Sequence, residues 1–106
     1  MHRETTADGG TRTVWLLFSR GGGVSVCGQD LGDLSGFFGT GVREYEWAHS
    51  VTGSDVPALV HALGGAVDAD VVALMMARFS GVRHGEFAGF CTRHRIPVEF
   101  WSRFGE

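Results

Sequence analysis

Two glutamates have the residue type and spacing that chemistry would need. Glu44 and Glu46 are separated by one residue in the stretch Glu44-Tyr45-Glu46-Trp47. On a β-strand, alternate side chains share a face, so these carboxylates would lie roughly 7 Å apart. Paired carboxylates serve in acid–base catalysis, but that chemistry also needs a pocket and a third polar group that shifts one pKa. Because the sequence identifies neither, we predict no catalytic residue and interpret the pair as part of an acidic surface that binds another protein.

Three further residues extend this acidic surface. Asp30 and Asp33 flank Leu31-Gly32, where their carboxylates either add charge to the surface or accept hydrogen bonds from the backbone N–H groups of a turn. They lack the alternating oxygen ligands of a calcium-binding loop. Trp101 is assigned to the same surface because tryptophan often anchors protein interfaces. The predicted partner-binding residues are therefore Glu44, Glu46, Asp30, Asp33 and Trp101.

The cysteine and histidine residues would form a metal site only with a second close pair. Cys91 and His94 are spaced as on one helical turn, and Cys27, His49 or His84 would have to complete a zinc site. Structural zinc sites usually combine two tight pairs, whereas this sequence has one. We therefore predict no metal site and no cofactor, and we assign both cysteines to packing.

Strands must position the glutamate pair. The apolar run from Thr13 to Ser19 and the alternation from Val24 to Cys27 predict two strands, with a hairpin turn at Arg20-Gly21-Gly22-Gly23. Residues 28–34 predict a turn-rich connector. A third strand is predicted from Val42 to Thr52, with its alternate aromatic and apolar residues facing the core and the two glutamates facing outward.

Helical spacing of apolar residues follows these strands. It predicts helices over about 56–63, 70–79 and 84–94, and the alternation from Ile96 to Trp101 predicts a last strand. The residues predicted to pack against the sheet are Leu59, Val60, Met75, Met76, Phe87 and Phe90. The expected fold is α+β, with a small antiparallel or mixed sheet of about four strands and three helices packed on one face. Residues 1–12 predict a flexible tail and residues 13–106 a single globular domain.

Composition limits the class of partner. The chain has 106 residues, 43% hydrophobic and 20% charged, with a formal net charge of -3, which is typical of one globular domain. Its 9 basic residues are all arginine, as in GC-rich bacterial genomes, and their scatter argues against nucleic-acid binding. No apolar run is long enough for a membrane span, and residues 1–13 lack the apolar core of a signal peptide. We therefore expect a cytoplasmic protein whose cysteines are thiols.

Three segments resemble parts of a group of small uncharacterised bacterial proteins. They are Gly28-Gln29-Asp30-Leu31-Gly32, Glu44-Tyr45-Glu46-Trp47 and Ile96-Pro97-Val98-Glu99-Phe100-Trp101. Those proteins are similar in size and acidity to the immunity proteins of polymorphic toxin systems, which block a toxin by covering it. The resemblance spans most of the chain and implies a shared fold family, and it carries over no activity and no catalytic residue.

Three functions follow as hypotheses. The leading prediction is a non-enzymatic domain that binds another protein, as an immunity- or inhibitor-like protein for a basic partner. The second is a small enzyme or ligand-binding domain with a site between sheet and helices, which a polar pocket lined by His49, Glu46 or Asp30 would favour. The third is a homo-oligomeric structural protein, which an exposed strand that pairs across a two-fold axis would favour.

Overall fold

The chain forms an antiparallel sheet of five strands in sequence order. The computed structural model describes residues 2–5, 11–32 and 44–105, with the side chains of 2–5, 82 and 105 left out of the description. The strands are β1 (His2–Thr5), β2 (Thr11–Phe18), β3 (Val24–Leu31), β4 (Glu44–Val51) and β5 (Glu99–Gly105). Each strand neighbours the next one in the chain, so β1 and β5 form the two edges.

All described helices lie in the connection between β4 and β5. They are α1 (Val56–Ala62), α2 (Val71–Phe79) and α3 (Phe87–Arg93), with 3-10 helices at Gly53–Asp55 and Gly81–Glu86. Asp70 caps α2, because its carboxylate accepts a hydrogen bond from the Val72 N–H at 3.0 Å. A layer of helices over an antiparallel sheet confirms the predicted α+β class.

The hydrophobic core lies between the helices and one face of the sheet. The sheet contributes alternate residues, which are Val14, Val24, Val26 and Val51. The helical connection contributes Leu59, Val60, Val71, Met75, Phe79, Phe87, Phe90, Cys91 and Ile96. Five of the six residues predicted to pack against the sheet are therefore buried.

Met76 is the exception, because 55% of its side chain is exposed. It directly follows Met75, and adjacent residues on a helix point about 100° apart. Met75 occupies the core-facing position one turn before Phe79, so Met76 lies outside the core. The predicted helix is present, but only one of its two adjacent methionines, Met75, packs in the core.

The predicted hairpin is present between β2 and β3. The Ser19 N–H donates to the Gly23 carbonyl at 2.9 Å, and the Gly22 N–H donates to the Ser19 carbonyl at 3.0 Å. Gly22 has a φ of 85°, which favours glycine because other residues rarely adopt left-handed backbone. The glycine run therefore forms a tight turn, as predicted.

Three strand boundaries differ from the sequence-based expectations. Residues 2–5, assigned to a tail, pair with β2, and β2 itself begins at Thr11. An edge strand of polar residues forms through backbone hydrogen bonds and needs no apolar pattern, which is why it was missed. Residues 28–31, assigned to a connector, continue β3 because β2 and β4 pair with them on both sides.

The last strand begins three residues later than predicted. Ile96 is 4% exposed and belongs to the helix-covered core. Its N–H donates to the Cys91 carbonyl at 2.9 Å, and Arg95 has a φ of 58°, so these residues end α3 and turn the chain. The strand starts only after Pro97, at Glu99.

Candidate functional site

The sheet has one face that no described helix covers. Cα pairing places Trp15, Cys27, Ala48 and Trp101 opposite one another in a row across β2 to β5. These residues alternate with the core valines, so they point away from the helices. We call this side the open face, and we call the side that packs on the helices the helix-side face.

Apolar side chains are exposed on the open face. Leu17 is 53% exposed, Leu31 is 43% exposed and Trp101 is 53% exposed. Cys27 lies in the middle of the row and is only 8% exposed, and burial raises the pKa of its thiol. The thiol is therefore protonated at neutral pH, and it packs as a small apolar group between larger neighbours.

The predicted glutamate pair also lies on the open face. The Gln29 amide donates to Glu44 at 2.8 Å, and the Arg103 guanidinium donates to Glu46 at 3.1 Å. Hydrogen bonding with Glu46, and then with Gln29, lowers the pKa of Glu44 below its ordinary value. Glu44 is therefore anionic at neutral pH.

The open face carries more negative than positive charge. Its described side chains include three carboxylates and one guanidinium, which belong to Glu44, Glu46, Glu99 and Arg103. Each glutamate lies either on the strand of Trp101 or on the neighbouring strand, because β4 and β5 are adjacent. Two glutamates and the tryptophan of the predicted partner-binding set are thus together on one surface.

Asp30 does not belong to that surface. It points to the helix-side face, is 4% exposed, and forms two hydrogen bonds with Arg12, at 2.8 Å to Nε and 2.9 Å to Nη2. The cause is that β3 continues through residue 30, where the pleat alternates the side chains. Asp30 therefore lies on the face opposite Glu44, and Asp33, predicted beside it, lies outside the described residues.

Arg12 is absent from the predicted site, because the sequence predicts a tail over residues 1–12. The one signal that could have found it is the pattern Thr11-Arg12-Thr13-Val14, in which an arginine shares a strand face with the core valine. A buried carboxylate needs a cation or several hydrogen-bond donors nearby. The burial of Asp30 therefore implies a partner such as Arg12, but the sequence does not predict that burial.

A groove of aromatic rings lies on the helix-side face beyond the core. Its volume is about 280 Å³, and Arg12, Tyr45, Trp47, His49, His84 and Phe100 are among its lining residues. The Trp47 and His84 rings are stacked with centroids 6.0 Å apart, and the His49 and Phe100 rings are 4.9 Å apart. A Cβ at Gly28 would overlap the Trp47 indole, so glycine at this position allows the ring to lie flat on β3.

The side chains of His49 and Arg12 contribute little net charge to the groove. Burial lowers the pKa of His49, so its imidazole is neutral at neutral pH. The guanidinium of Arg12 faces the carboxylate of Asp30, which offsets its charge. Cys91 is fully buried, and burial raises its pKa to about 11, so its thiol is not a nucleophile.

Cys91 and His94, the one close pair of zinc-type ligands in the sequence, lie at the end of α3. Among the residues that the structure describes, no three histidine, cysteine or acidic side chains are close enough together to hold a metal ion. His94 instead packs against the Phe90 ring, with centroids 4.4 Å apart.

Comparisons of the chain with protein-family models, curated proteins and solved structures gave no match. Among the described residues, no helix has the length and apolar character that crossing a membrane would require.

Proposed function

We propose that this chain is a non-enzymatic binding domain that docks a basic protein on its open face. The observation that carries the proposal is the coincidence, on the sheet face that no described helix covers, of exposed apolar residues with three carboxylates and one guanidinium. Protein interfaces commonly combine an aromatic centre with charged residues at the rim.

The two kinds of residue would contribute in different ways. Trp101 and Leu17 offer apolar area whose burial drives association, by roughly 25 cal/mol per Å² of apolar surface. Glu44 and Glu46 would steer a positively charged partner and raise its association rate, an effect that salt screens over about 8–10 Å. A partner with a basic rim and an apolar centre therefore fits the open face.

An immunity- or inhibitor-like role is the specific form of this proposal. The chain is small and acidic, with a net charge of -3, and a protein that blocks another by covering it needs a surface and no catalytic group. Both cysteines are buried thiols, which fits the reducing cytoplasm of a bacterium. A basic toxin or enzyme of the same cell would be the partner.

The test is a titration of purified candidate partners, chosen as the basic proteins whose genes neighbour this one. We expect one of them to bind the full chain, and we expect Glu44→Lys with Glu46→Lys to weaken binding by about tenfold or more. The matched control is Asp68→Lys with Glu86→Lys, which makes the same charge change at exposed positions of the helical layer. If both double variants weaken binding equally, net charge and not the open face is responsible, and the proposal fails.

A second candidate function is the binding of a small planar molecule in the aromatic groove. The observation that favours it is that His49 lines a groove, as the alternative hypothesis required, although Glu46 lies on the opposite face. Aromatic rings together with the neutral imidazole of His49 suit stacking against a flat ligand. An NMR screen of aromatic fragments tests it: a binder should shift the ring signals of Trp47, His49 and His84 together, and shifts that spare all three would reject this function.

A further inference from the structure

A second groove lies within the helical layer, and residues of all three helical segments line it. Its volume is about 400 Å³, which is the size of a small-molecule site. Its apolar lining includes Leu63 at the end of α1, Ala77 of α2 and Phe90 of α3, and none of the residues that line it is acidic. Arg78 of α2 also lines it, and we call it the Arg78 groove.

Arg78 is held in this groove without a counter-charge. Its guanidinium carbon lies 5.5 Å from the centroid of the Phe90 ring, which is a cation–π distance. The side chain is partly buried, and its Nε is buried with no hydrogen-bond partner. No described residue forms an ion pair with it. Buried polar groups nearly always have a partner, so this guanidinium has unused capacity to bind an anion.

The second arginine of the groove contributes little net charge. Arg83 also lines it, but its Nε lies 3.5 Å from the Glu86 carboxylate, which offsets its charge. The groove therefore has one unbalanced positive charge, that of Arg78. A single negative charge matches it better than a phosphate monoester, whose charge is close to two at neutral pH.

We propose that the Arg78 groove binds a small organic monocarboxylate with an apolar chain, of the fatty-acid type. The carboxylate accepts hydrogen bonds from the Arg78 guanidinium, whose planar fork matches two carboxylate oxygens. The chain lies along Leu63 and Leu74 and removes their apolar surface from water. Because Phe90 already holds the guanidinium, little conformational freedom is lost when the ligand binds.

The two surfaces discussed above suit this ligand less well. The open face exposes Leu17 and Trp101, but its three carboxylates outnumber its one guanidinium and repel an anion. In the aromatic groove, the Arg12 guanidinium already donates two hydrogen bonds to Asp30. The Arg78 groove is separate from both surfaces, so the proposal does not depend on either of the functions proposed for them.

An NMR titration of the full chain with octanoate tests the proposal, and octan-1-ol is the uncharged comparison. We expect octanoate to shift the methyl signals of Leu63, Leu74 and Ala77, which line the groove, and to leave those of Leu17 in place. Octanoate should bind about tenfold more tightly than octan-1-ol, because only octanoate has a charge for Arg78 to bind.

Substitution of Arg78 identifies the group responsible. Arg78→Met keeps an unbranched apolar stem and removes the charge, so it should weaken octanoate binding about tenfold and leave octan-1-ol binding unchanged. The matched control is Arg93→Met, which removes the same charge at an exposed position of α3 outside the groove lining. Both affinities should then stay at their wild-type values.

A second pair of variants leaves Arg78 in place. Ala77 is exposed on α2, so substitutions there should leave the fold intact. Ala77→Glu adds a carboxylate that competes for the guanidinium, whereas Ala77→Gln adds a side chain of the same shape without charge. Octanoate should bind Ala77→Glu about tenfold more weakly than Ala77→Gln, and octan-1-ol should bind the two equally.

Three results would overturn the proposal: octanoate that binds no more tightly than octan-1-ol, equal effects of Arg78→Met and Arg93→Met, or shifts at Leu17 that spare the methyl groups of the groove. Circular dichroism checks the fold of each variant. If Arg78→Met does not fold, the Ala77 pair decides, and equal octanoate affinities of its two members reject the site.

Discussion

The two faces of the sheet carry similar apolar residue types but differ in how far those residues are exposed. On the helix-side face, Val26 and Val51 are each 1% exposed, because α1 to α3 seal them. On the open face, Trp101 and Leu17, in the same sheet, are each 53% exposed. Apolar character alone therefore does not distinguish buried from exposed positions in this sheet. What distinguishes them is the layer of helices, which buries the core valines on one face and leaves these residues of the other face exposed.

Removing a core ring should have the largest effect on stability. Phe87 is fully buried, and its ring packs edge-on against Phe79 with centroids 5.4 Å apart. Phe87→Ala should lower the free energy of unfolding by about 3–5 kcal/mol, as measured by urea denaturation. Met76→Ala is the control on the exposed side of a neighbouring helix, and it should change stability by less than about 1 kcal/mol. Equal effects would mean that the two positions do not differ in burial.

The second-largest difference in stability should separate the acidic residues of the two faces. Asp30→Asn removes the negative charge of a buried carboxylate that holds the Arg12 guanidinium, and should cost about 2 kcal/mol in urea denaturation. Glu46→Gln changes an ion pair whose arginine is 64% exposed, and it should cost about 0.5 kcal/mol or less. If Glu46→Gln were the more damaging change, the assignment of Asp30 to the structure and Glu46 to the surface would be wrong.

Gly28 makes room for the Trp47 indole, which lines the aromatic groove. Gly28→Ala would force the Trp47 indole off β3, and should destabilise the fold by about 1–2 kcal/mol. The cost should fall when Trp47 is also replaced by alanine, because the overlap is then removed. A double-mutant cycle in urea measures this coupling, and additive effects would show that the ring does not lie over residue 28.

The smallest expected effect is the pH dependence that His49 contributes. Burial lowers its pKa in the folded state, so the unfolded chain, with an ordinary pKa of about 6.5, binds a proton more readily. The stability contribution is therefore complete above about pH 6.5 and is lost as the pH falls toward the lowered folded pKa. Comparison of urea midpoints at pH 7.5 and 5.5 should show a smaller decrease for His49→Gln than for wild type. An identical decrease would place His49 in solvent.

Much of the helix-side face could be predicted from the sequence, whereas the position of Asp30 could not. The alternation along β4 has a period of two, so it assigned Glu46 and Trp47 to opposite faces correctly. Which way Asp30 points depends on where β3 ends. Because glycine is common in turns, Gly28 suggested that the strand ends before residue 30, whereas it continues to Leu31. Glycine is present there because an indole from β4 occupies the space of a side chain, which is a tertiary contact that local patterns do not record. Arg12 was missed for a related reason, since its strand is stabilised by pairing with β1 and β3.

The distribution of the three tryptophans gives the most direct test of the central claim, which is that the open face is the binding surface. Trp15 and Trp101 lie on the open face, and Trp47 lies on the helix-side face. Their indole N–H signals can be assigned by single substitution and followed by NMR while the basic partner is added to the full chain. We predict that the signals of Trp15 and Trp101 shift or broaden and that the Trp47 signal stays in place. A shift of Trp47 with unchanged Trp15 and Trp101 signals would contradict the account and place the binding site in the aromatic groove.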